Sequence, residues 1–371
     1  MQKKIIALAV AGLVSGAAFA QSNVTVYGTV DIGQAFVKST GSTNSANDQS
    51  VVSRLDSNSS KLGFKGVEDL GNGLKAVFQI ESSINADATG GTLAVRDTYV
   101  GLAGAFGTIV GGNLTHPVRD LGNRVELLPG AAGIGSTASV TGTVLGLKTG
   151  ADDRAKNTLA YVSPTFSGFT GTVAYINGEK RTNAGVSSKQ YQVAGKYEQG
   201  PLFVGLGYHR INDTAVNLAA VPVFADRDGD SASVIRLAAV YNLPTNTKLT
   251  ALVDRTKADA FDGAASFEAK RTAWSLGAAQ TFGKNTVGLE FGQAQKVKLD
   301  GDTVDNSKSN IVTAMYGYSF SKRTGLYARY SRISNDDNSN SNFYNNPVDN
   351  GVTAGTGATY SGVLVNLRHD F

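Results

Sequence analysis

Short stretches in which every second residue is apolar recur along almost the whole chain, and this period of two limits what the chain can fold into more than any other feature. Val24 to Ile32 is the first such stretch. Leu74 to Glu81 is clearer: Leu74, Ala76, Phe78 and Ile80 alternate with Lys75, Val77, Gln79 and Glu81. Tyr191 to Tyr197, Ile235 to Ala239 and Val363 to Arg368 repeat the pattern. Successive side chains of a strand point to opposite faces, so the alternation describes strands with two unlike faces. Helical periodicity is confined to the N-terminal leader and part of 114–150. The hydrophobic content of 41% is low and the 44 Gly are many, yet 14 Tyr and 16 Phe are too many for a chain that buries nothing. The longest strongly apolar run, Ile5–Val14, falls well short of the roughly 20 residues a spanning helix needs. With no cysteine, disulfides, thiolate metal sites and a Cys nucleophile are excluded.

Sixteen segments carry the pattern, at about 24–36, 60–68, 73–83, 96–103, 107–113, 154–162, 169–176, 188–198, 202–212, 232–243, 247–257, 267–282, 285–297, 310–320, 324–333 and 360–371. Their connections alternate in length. Asp69–Asn72, Gly104–Phe106, Pro164–Gly168, Gln199–Pro201, Pro244–Asn246, Gly283–Lys284 and Ser321–Arg323 are short, whereas Lys38–Ser59, Asp213–Ser231 and Ser334–Thr359 are long and polar. Short turns at one end, long loops at the other and an even strand number predict an all-β fold, a sixteen-stranded antiparallel transmembrane β-barrel of the outer-membrane kind, with both termini at the short-turn end. Phe106, Phe166, Phe169, Phe282, Phe320 and Phe371 lie at or beside the short turns, where an aromatic girdle at a membrane interface belongs. A soluble β-sandwich or propeller would turn its charged residues outward. Here Lys75, Glu81, Lys196, Arg236 and Arg368 share one face and the opposite face is nearly free of charge, which suits lipid outside and water inside. Closure follows, because an open edge in lipid leaves backbone groups unpaired at several kcal/mol each.

Met1–Ala20 reads as a secretory signal: Lys3 and Lys4, the apolar Ile5–Val14, then Ala18-Phe19-Ala20 as the cleavage site. A permanent anchor would want a longer apolar run. The expected division is therefore a signal peptide over 1–20 and a barrel over 21–371. Removing the leader takes two lysines from a formal net charge of +4 and leaves a nearly balanced chain, so the sequence pI near 9.0 says little about partners. No run of Lys and Arg tracks a helix face and no nucleic-acid signature is present, so no nucleic-acid partner is expected. An exported chain without cysteine must be held together by something other than disulfides.

The run Ser60-Lys61-Leu62-Gly63-Phe64-Lys65-Gly66-Val67-Glu68-Asp69-Leu70-Gly71-Asn72-Gly73-Leu74-Lys75-Ala76 resembles the second hairpin of the general bacterial porins of the Neisserial and beta-proteobacterial type. Val24–Gly33 and Leu367-Arg368-His369-Asp370-Phe371 resemble the start and end of that family, although Asp370 stands where a basic residue usually precedes the final Phe. The resemblance spans the mature chain in strand number and loop rhythm. It implies a homotrimer of sixteen-stranded barrels in the bacterial outer membrane, among lipid and lipopolysaccharide, each a water-filled pore narrowed by an infolded third loop. It also implies passage of small anions and hydrophilic solutes without a cofactor.

Parity assigns the lumen face. If Leu62 and Phe64 meet lipid, Lys61 and Lys65 face inward, and by the same rule so do Lys75, Glu81, Lys196, Arg236, Arg329 and Arg368, with Asp31, Glu290 and Asp370 as acids. The resemblance places Lys61, Arg96 and Arg154 in the basic cluster on the wall opposite the third loop, with Lys65 beside them; Arg154 opens the strand that runs through Tyr161. Arginine suits this position because it stays charged at any working pH. The plainer alternative for each of these cations is a solvated lumen residue; the functional reading is favoured for Arg96 and Arg154, and the plain one for Lys65, Arg236 and Arg329. Leu114–Asp153, the longest strand-free stretch, should be the constricting loop, and its acids Asp120 and Glu126 are candidates to face the basic wall. His116, Arg119 and Arg124 share that loop, and Pro129-Gly130-Ala131-Ala132-Gly133 stands where the family usually has a Pro-Glu-Phe-Gly-Gly tip. Unpaired positive charge in a narrow pore with low-dielectric walls concentrates anions, so an anion preference is expected.

Other chemistries find little support. His116, His209 and His369 are far apart and lack metalloprotease spacing. Gly133–Ala138 mimics a dinucleotide turn without a surrounding βαβ unit. Asp226–Asp230 hints at calcium, but Ser231 and Leu237 stand where a calcium hand needs Gly and Glu. Asp152 and Asp153 are adjacent and read as solvated. The chain is therefore not expected to be an enzyme or to bind a metal. The rival readings are a substrate-selective sugar or organic-anion channel, which would want a row of lumen aromatics where Trp274 instead shares a face with Leu276, an outer-membrane hydrolase, which would want Ser, His and acid residues converging on one wall, and a non-conducting outer-membrane adhesin working through its long loops.

Overall fold

The computed structural model describes residues 23–129, 133–144, 147–179, 187–213, 230–261, 266–348 and 355–371. The expected leader, the middle of the expected loop tip and residues 226–229 lie outside the described residues. Sixteen strands form the barrel. They are β1 (Asn23–Thr40), β2 in two pieces (Gln49–Ser57 and Lys61–Gly71), β3 (Leu74–Ile84), β4 (Thr98–Gly104), β5 (Gly107–Thr115), β6 (Arg154–Val162), β7 (Phe169–Ile176) and β8 (Lys189–Gln199). The second half comprises β9 (Leu202–Asn212), β10 (Ser231–Asn242), β11 (Thr247–Phe261), β12 (Ser266–Phe282), β13 (Asn285–Ala294), β14 (Ser309–Ser319), β15 (Thr324–Asn335) and β16 (Thr359–Asp370). Each pairs antiparallel with its neighbours, and β1 closes against β16 from Thr29–Asp370 to Thr40–Thr359. The C-terminal residue completes the seam: Gly28 and Phe371 exchange backbone hydrogen bonds at 3.1 and 3.0 Å. A Cβ on Gly28 would stand 2.4 Å from the Phe371 ring, so only glycine permits this approach.

The pattern of burial is inverted relative to a soluble sheet. On β10, Val234, Arg236 and Ala238 are buried while Ile235 and Leu237 between them are exposed. The same alternation exposes Val363, Val365 and Leu367 on β16 and Leu206 on β9. Such a continuous exposed apolar surface is far larger than a soluble monomer carries, and it is what acyl chains solvate. The six phenylalanines expected at the short turns are all exposed. Trp274 lies on the outer face with Leu276 and packs on Phe291, ring centroids 5.4 Å apart.

One difference from the sequence reading stands out. The second strand extends upward to Gln49 and bends at 58–60, so the loop expected over Lys38–Ser59 shrinks to 41–48. Its upper part, Gln49–Ser57, is rich in Ser and polar residues and lacks clean alternation. The bend is held by Ser60, whose Oγ accepts from the Asp31 amide at 2.9 Å and donates to the Asp31 carbonyl at 3.0 Å. The helical periodicity noted within 114–150 is realised in the third loop as α1 (Pro117–Val125), which starts at a proline in its first turn.

α1 lies inside the barrel. Its buried residues Val118, Leu121 and Val125 follow helical spacing, and Leu121 and Val125 pack with Phe203, Ala238, Val240 and Leu252 of β9–β11. Burial of such side chains stabilises by about 1.5–3 kcal/mol each. Gly205 and Gly207 make room: a Cβ on Gly205 would stand 2.4 Å from Leu121, and one on Gly207 would meet Leu121 and Val118 at 3.0 Å. Further along the same loop, Ile134 and Val140 join Ile311, Ile333, Leu364, Phe343 and Val348 in a second cluster. Among the described residues most of the apolar core lies where loops fold against the inner wall; a smaller cluster of Val110, Ala160 and Ala174 lies on the wall strands themselves.

Candidate pore constriction

The opposite edge of α1 faces water. Arg119, Asn123 and Glu126, spaced four and three residues apart, line a cavity of about 400 Å³. Across it stand Lys61 of β2, Arg96 just before β4, Arg154 at the start of β6 and Arg368 of β16. Tyr344 and Asn345, from the loop between β15 and β16, also reach it.

Each wall cation is held by a carboxylate. Glu81, almost fully buried, takes Arg96 Nε at 2.5 Å and Lys61 Nζ at 3.1 Å, and accepts from the Tyr27 hydroxyl at 3.0 Å. Asp97 takes Arg154 Nε at 3.1 Å and accepts from Thr115. Arg368 reaches Asp370 at 2.7 Å and Asp31 at 3.6 Å. Glu81 and Asp31 are buried to within a few per cent, whereas the Lys61, Arg96, Arg154 and Arg368 side chains keep 14–28% of their surface. At Lys61 and Arg96 the lumen therefore meets N–H donors with the balancing Glu81 behind them, whereas Asp97 and Asp370 are more exposed than the Arg154 and Arg368 they hold. Arg119 enters no ion pair or hydrogen bond among the described residues and is the least compensated cation of the site.

The loop opposite is pinned to the wall by basic residues. Arg236, fully buried, places Nη1 and Nη2 on the two carboxylate oxygens of Asp152, and Nη2 also reaches Asp254 at 2.8 Å. Arg329 donates to the Pro129 carbonyl and, at 3.0 Å, to Asn366. Lys248 Nζ donates to the Glu126 carbonyl at 2.5 Å. Burial opposes ionisation of Asp152, yet the Arg236 charge and its hydrogen bonds hold that carboxyl below the usual range. Burial raises the Glu126 carboxyl above the usual range, against the Ser136 hydrogen bond and the nearby Arg329 and Lys248.

The structure thus gathers Lys61, Arg96, Arg154 and Glu126 around one cavity and leaves other expected residues elsewhere. Lys65 lies on the same strand face but nearer the short turns, its Nζ 5.1 Å above the Tyr27 ring. Lys75 is exposed near its turn and Lys196 is partly exposed on β8; neither lines the cavity. Asp120 is exposed on α1, away from the lining. Arg236 borders the same cavity and Arg329 faces inward, but both are buried anchors of the loop rather than solvated lumen charges. Asp152, expected to be solvated, is one of those anchors. The spacing of Arg119, Asn123 and Glu126 after a helix-starting proline was the signal that could have placed Arg119 at the site. Among the described residues no three His, Asp or Glu side chains gather as a metal site.

A family model described as Gram-negative porin matches residues 7–338. The chain belongs to the Gram-negative porin family. Outer membrane porin protein 32 of Delftia acidovorans is 34% identical over 381 residues, covering 100% of both chains. Major outer membrane protein P.IB of Neisseria gonorrhoeae is 30% identical over 344 residues, covering 87% of this porin and 91% of the relative. Among solved structures, an anion-selective porin from Comamonas acidovorans superposes with a TM-score of 0.76 at 29% identity, over 95% of this chain and 100% of the other. This porin is accordingly a channel of the bacterial outer membrane, and its sixteen strands close as that family's do.

Proposed function

We propose that this porin is a passive diffusion channel for small hydrophilic solutes that favours anions, with Lys61, Arg96, Arg119 and Arg154 as the groups that confer the preference. The observation that carries the reading is the arrangement of charge at the constriction: guanidinium and ammonium groups toward the lumen, Glu81 largely buried behind Lys61 and Arg96. A passing anion meets the donors at contact distance and the carboxylates further off, so attraction wins. The solved relative described as anion-selective supports the same sign. Screening acts over about 8 Å at physiological salt, so these charges outweigh those of the outer loops.

Reversal potentials across a planar bilayer in a KCl gradient test the reading. A potential of the sign set by chloride is expected; a potassium-set potential defeats the anion preference, and a folded protein that does not conduct defeats the channel.

The assembly proposed is the homotrimer that porins of this type form, embedded in lipopolysaccharide at its long-loop end, and cross-linking in native membranes reads its stoichiometry. Met1–Ala20 is proposed as a leader cleaved after Ala20, for which the mass of the mature protein is the check. A sugar-selective channel is disfavoured by the outward setting of Trp274.

A further inference from the structure

We propose that the short-turn rim of this porin carries a binding cleft for a phosphate group, distinct from the constriction and connected to it through Arg368. Three neighbouring elements build it: the β12–β13 turn, the β14–β15 turn and the end of β16. They are joined by backbone hydrogen bonds, Ser319 amide to Lys284 carbonyl at 2.8 Å and Asp370 amide to Arg323 carbonyl at 2.8 Å. The Ser321 hydroxyl accepts from the amides of Arg323 and Thr324, both at 3.1 Å, which shapes the turn that carries the cations. Between these elements lies a cleft of about 350 Å³ lined by Lys284, Lys322, Arg323 and Arg368 together with serine and threonine hydroxyls.

Charge makes the cleft more than a gap between turns. Lys284, Lys322 and Arg323 are exposed, and none of them forms an ion pair among the described residues. The one acid in the lining, Asp370, is already engaged by Arg368 at 2.7 Å and by the Thr29 hydroxyl at 2.6 Å. Elsewhere the rim cations have partners close by: Lys75 stands opposite Asp69 at the β2–β3 turn, Arg124 is bound to Glu198 near the β8–β9 turn, and Lys248 donates to the Glu126 carbonyl. Unpaired positive charge is therefore concentrated on one arc of the rim. Two ammonium groups, a guanidinium fork and hydroxyl donors around one concavity match an oxyanion with several peripheral oxygens and more than one charge. A single chloride or carboxylate would engage only part of this set. The volume falls at the lower end of small-ligand sites, large enough for a phosphate with a small ester group.

Arg368 lines both this cleft and the constriction cavity. A phosphate leaving the constriction toward the short turns thus passes from one cationic site to the next. The same phosphate chemistry is offered by phospholipid head groups of the inner leaflet, since Phe320 beside the cleft lies at the expected interface level.

The test compares the full-length porin with the variant K284Q/K322Q/R323Q and with Arg154→Gln at the constriction. All three proteins are checked for barrel folding by their resistance to unfolding in detergent. Inorganic phosphate and glycerol 3-phosphate are titrated into each in detergent, with binding read by calorimetry. Binding roughly tenfold weaker in the triple variant and retained in Arg154→Gln is expected; Lys322→Arg, which keeps the charge, should bind as the parent does. For the lipid source, phosphatidylglycerol retained from mixed vesicles is measured by native mass spectrometry. Retention lost in the triple variant and competed by inorganic phosphate assigns the cleft to head groups as well as to free phosphate. Equal binding of phosphate and of phosphatidylglycerol by the parent and the triple variant overturns the proposal. Because binding is read without current, a failure here is distinguishable from a failure of the anion preference, which reversal potentials report.

Discussion

Arg236 of β10 holds Asp152 of the third loop through both guanidinium amino groups, with no surface of its own exposed. The same guanidinium reaches Asp254 on the neighbouring strand at 2.8 Å and the Val118 carbonyl of α1 at 3.4 Å. One side chain thus joins two strands of the wall to both limbs of the loop. A buried charge is tolerable only with such partners, and removing one member leaves the others uncompensated.

Arg236→Met is expected to weaken seating of the third loop by about 3–5 kcal/mol, the cost of stranding buried carboxylates, while the barrel ladder stays intact. Single-channel recordings should show larger and noisier conductance, and protease should cut the loop. Combining Arg236→Met with Asp152→Asn and Asp254→Asn should recover part of the loss, since no charge is then stranded. Unchanged current in Arg236→Met would show that the apolar face of α1 alone seats the loop.

Reversal of charge should matter at the eyelet and little near the mouth. A unit charge lining a wet eyelet acts on a passing ion with roughly 1 kcal/mol, or about fivefold in occupancy. Arg119→Glu replaces attraction with repulsion and should lower the chloride-to-potassium permeability ratio several-fold. Lys65→Glu, outside the cavity lining, should change it much less. Reversal potentials at low and high salt read both, and the difference should shrink as the Debye length shortens.

The glycines beneath α1 give a steric test. Gly205→Val would drive a side chain into Leu121, where even a Cβ stands 2.4 Å away. Overpacking of this kind costs about 1–3 kcal/mol, and displacement of α1 should shift the conductance. Gly207→Ala, with its nearest contacts at 3.0 Å, should shift it less.

His116, which precedes α1, donates from Nδ1 to the Gly150 carbonyl at 2.7 Å and packs 5.2 Å from the His209 ring. Its Nε2 is buried without a partner. Burial lowers its proton affinity, against the Gly150 carbonyl and the nearby Asp153 and Asp152, with Arg119 adding to the lowering. A histidine freed into water takes up its proton near pH 6.5, so acid favours the unseated loop. Seating is fully retained above that pH and weakens as pH falls through the range below it. Current fluctuations should therefore grow as pH falls below about 6.5, and His116→Gln should remove that component. A pH-independent record in the parent protein would contradict this.

Strand number, closure and the two faces of each strand were legible because they are local. Alternation along Leu74–Glu81 or Val363–Arg368 states which side meets lipid, and lipid permits no unpaired sheet edge. The upper part of β2 escaped notice because Gln49–Ser57 lacks clean alternation.

What the amino-acid order determined by itself is a chain able to form a closed barrel with charged groups turned inward; the period of two and the turn rhythm suffice for that. Only the tertiary structure decided which inward cations confront the solute. Arg236 and Arg154 look alike by parity, yet the first is spent on a loop carboxylate 84 residues away and the second keeps part of its surface on the eyelet. The reason is physical: direction across a strand is set by the backbone of its neighbours in sequence, whereas the free charge of a group depends on partners that folding brings to it from afar.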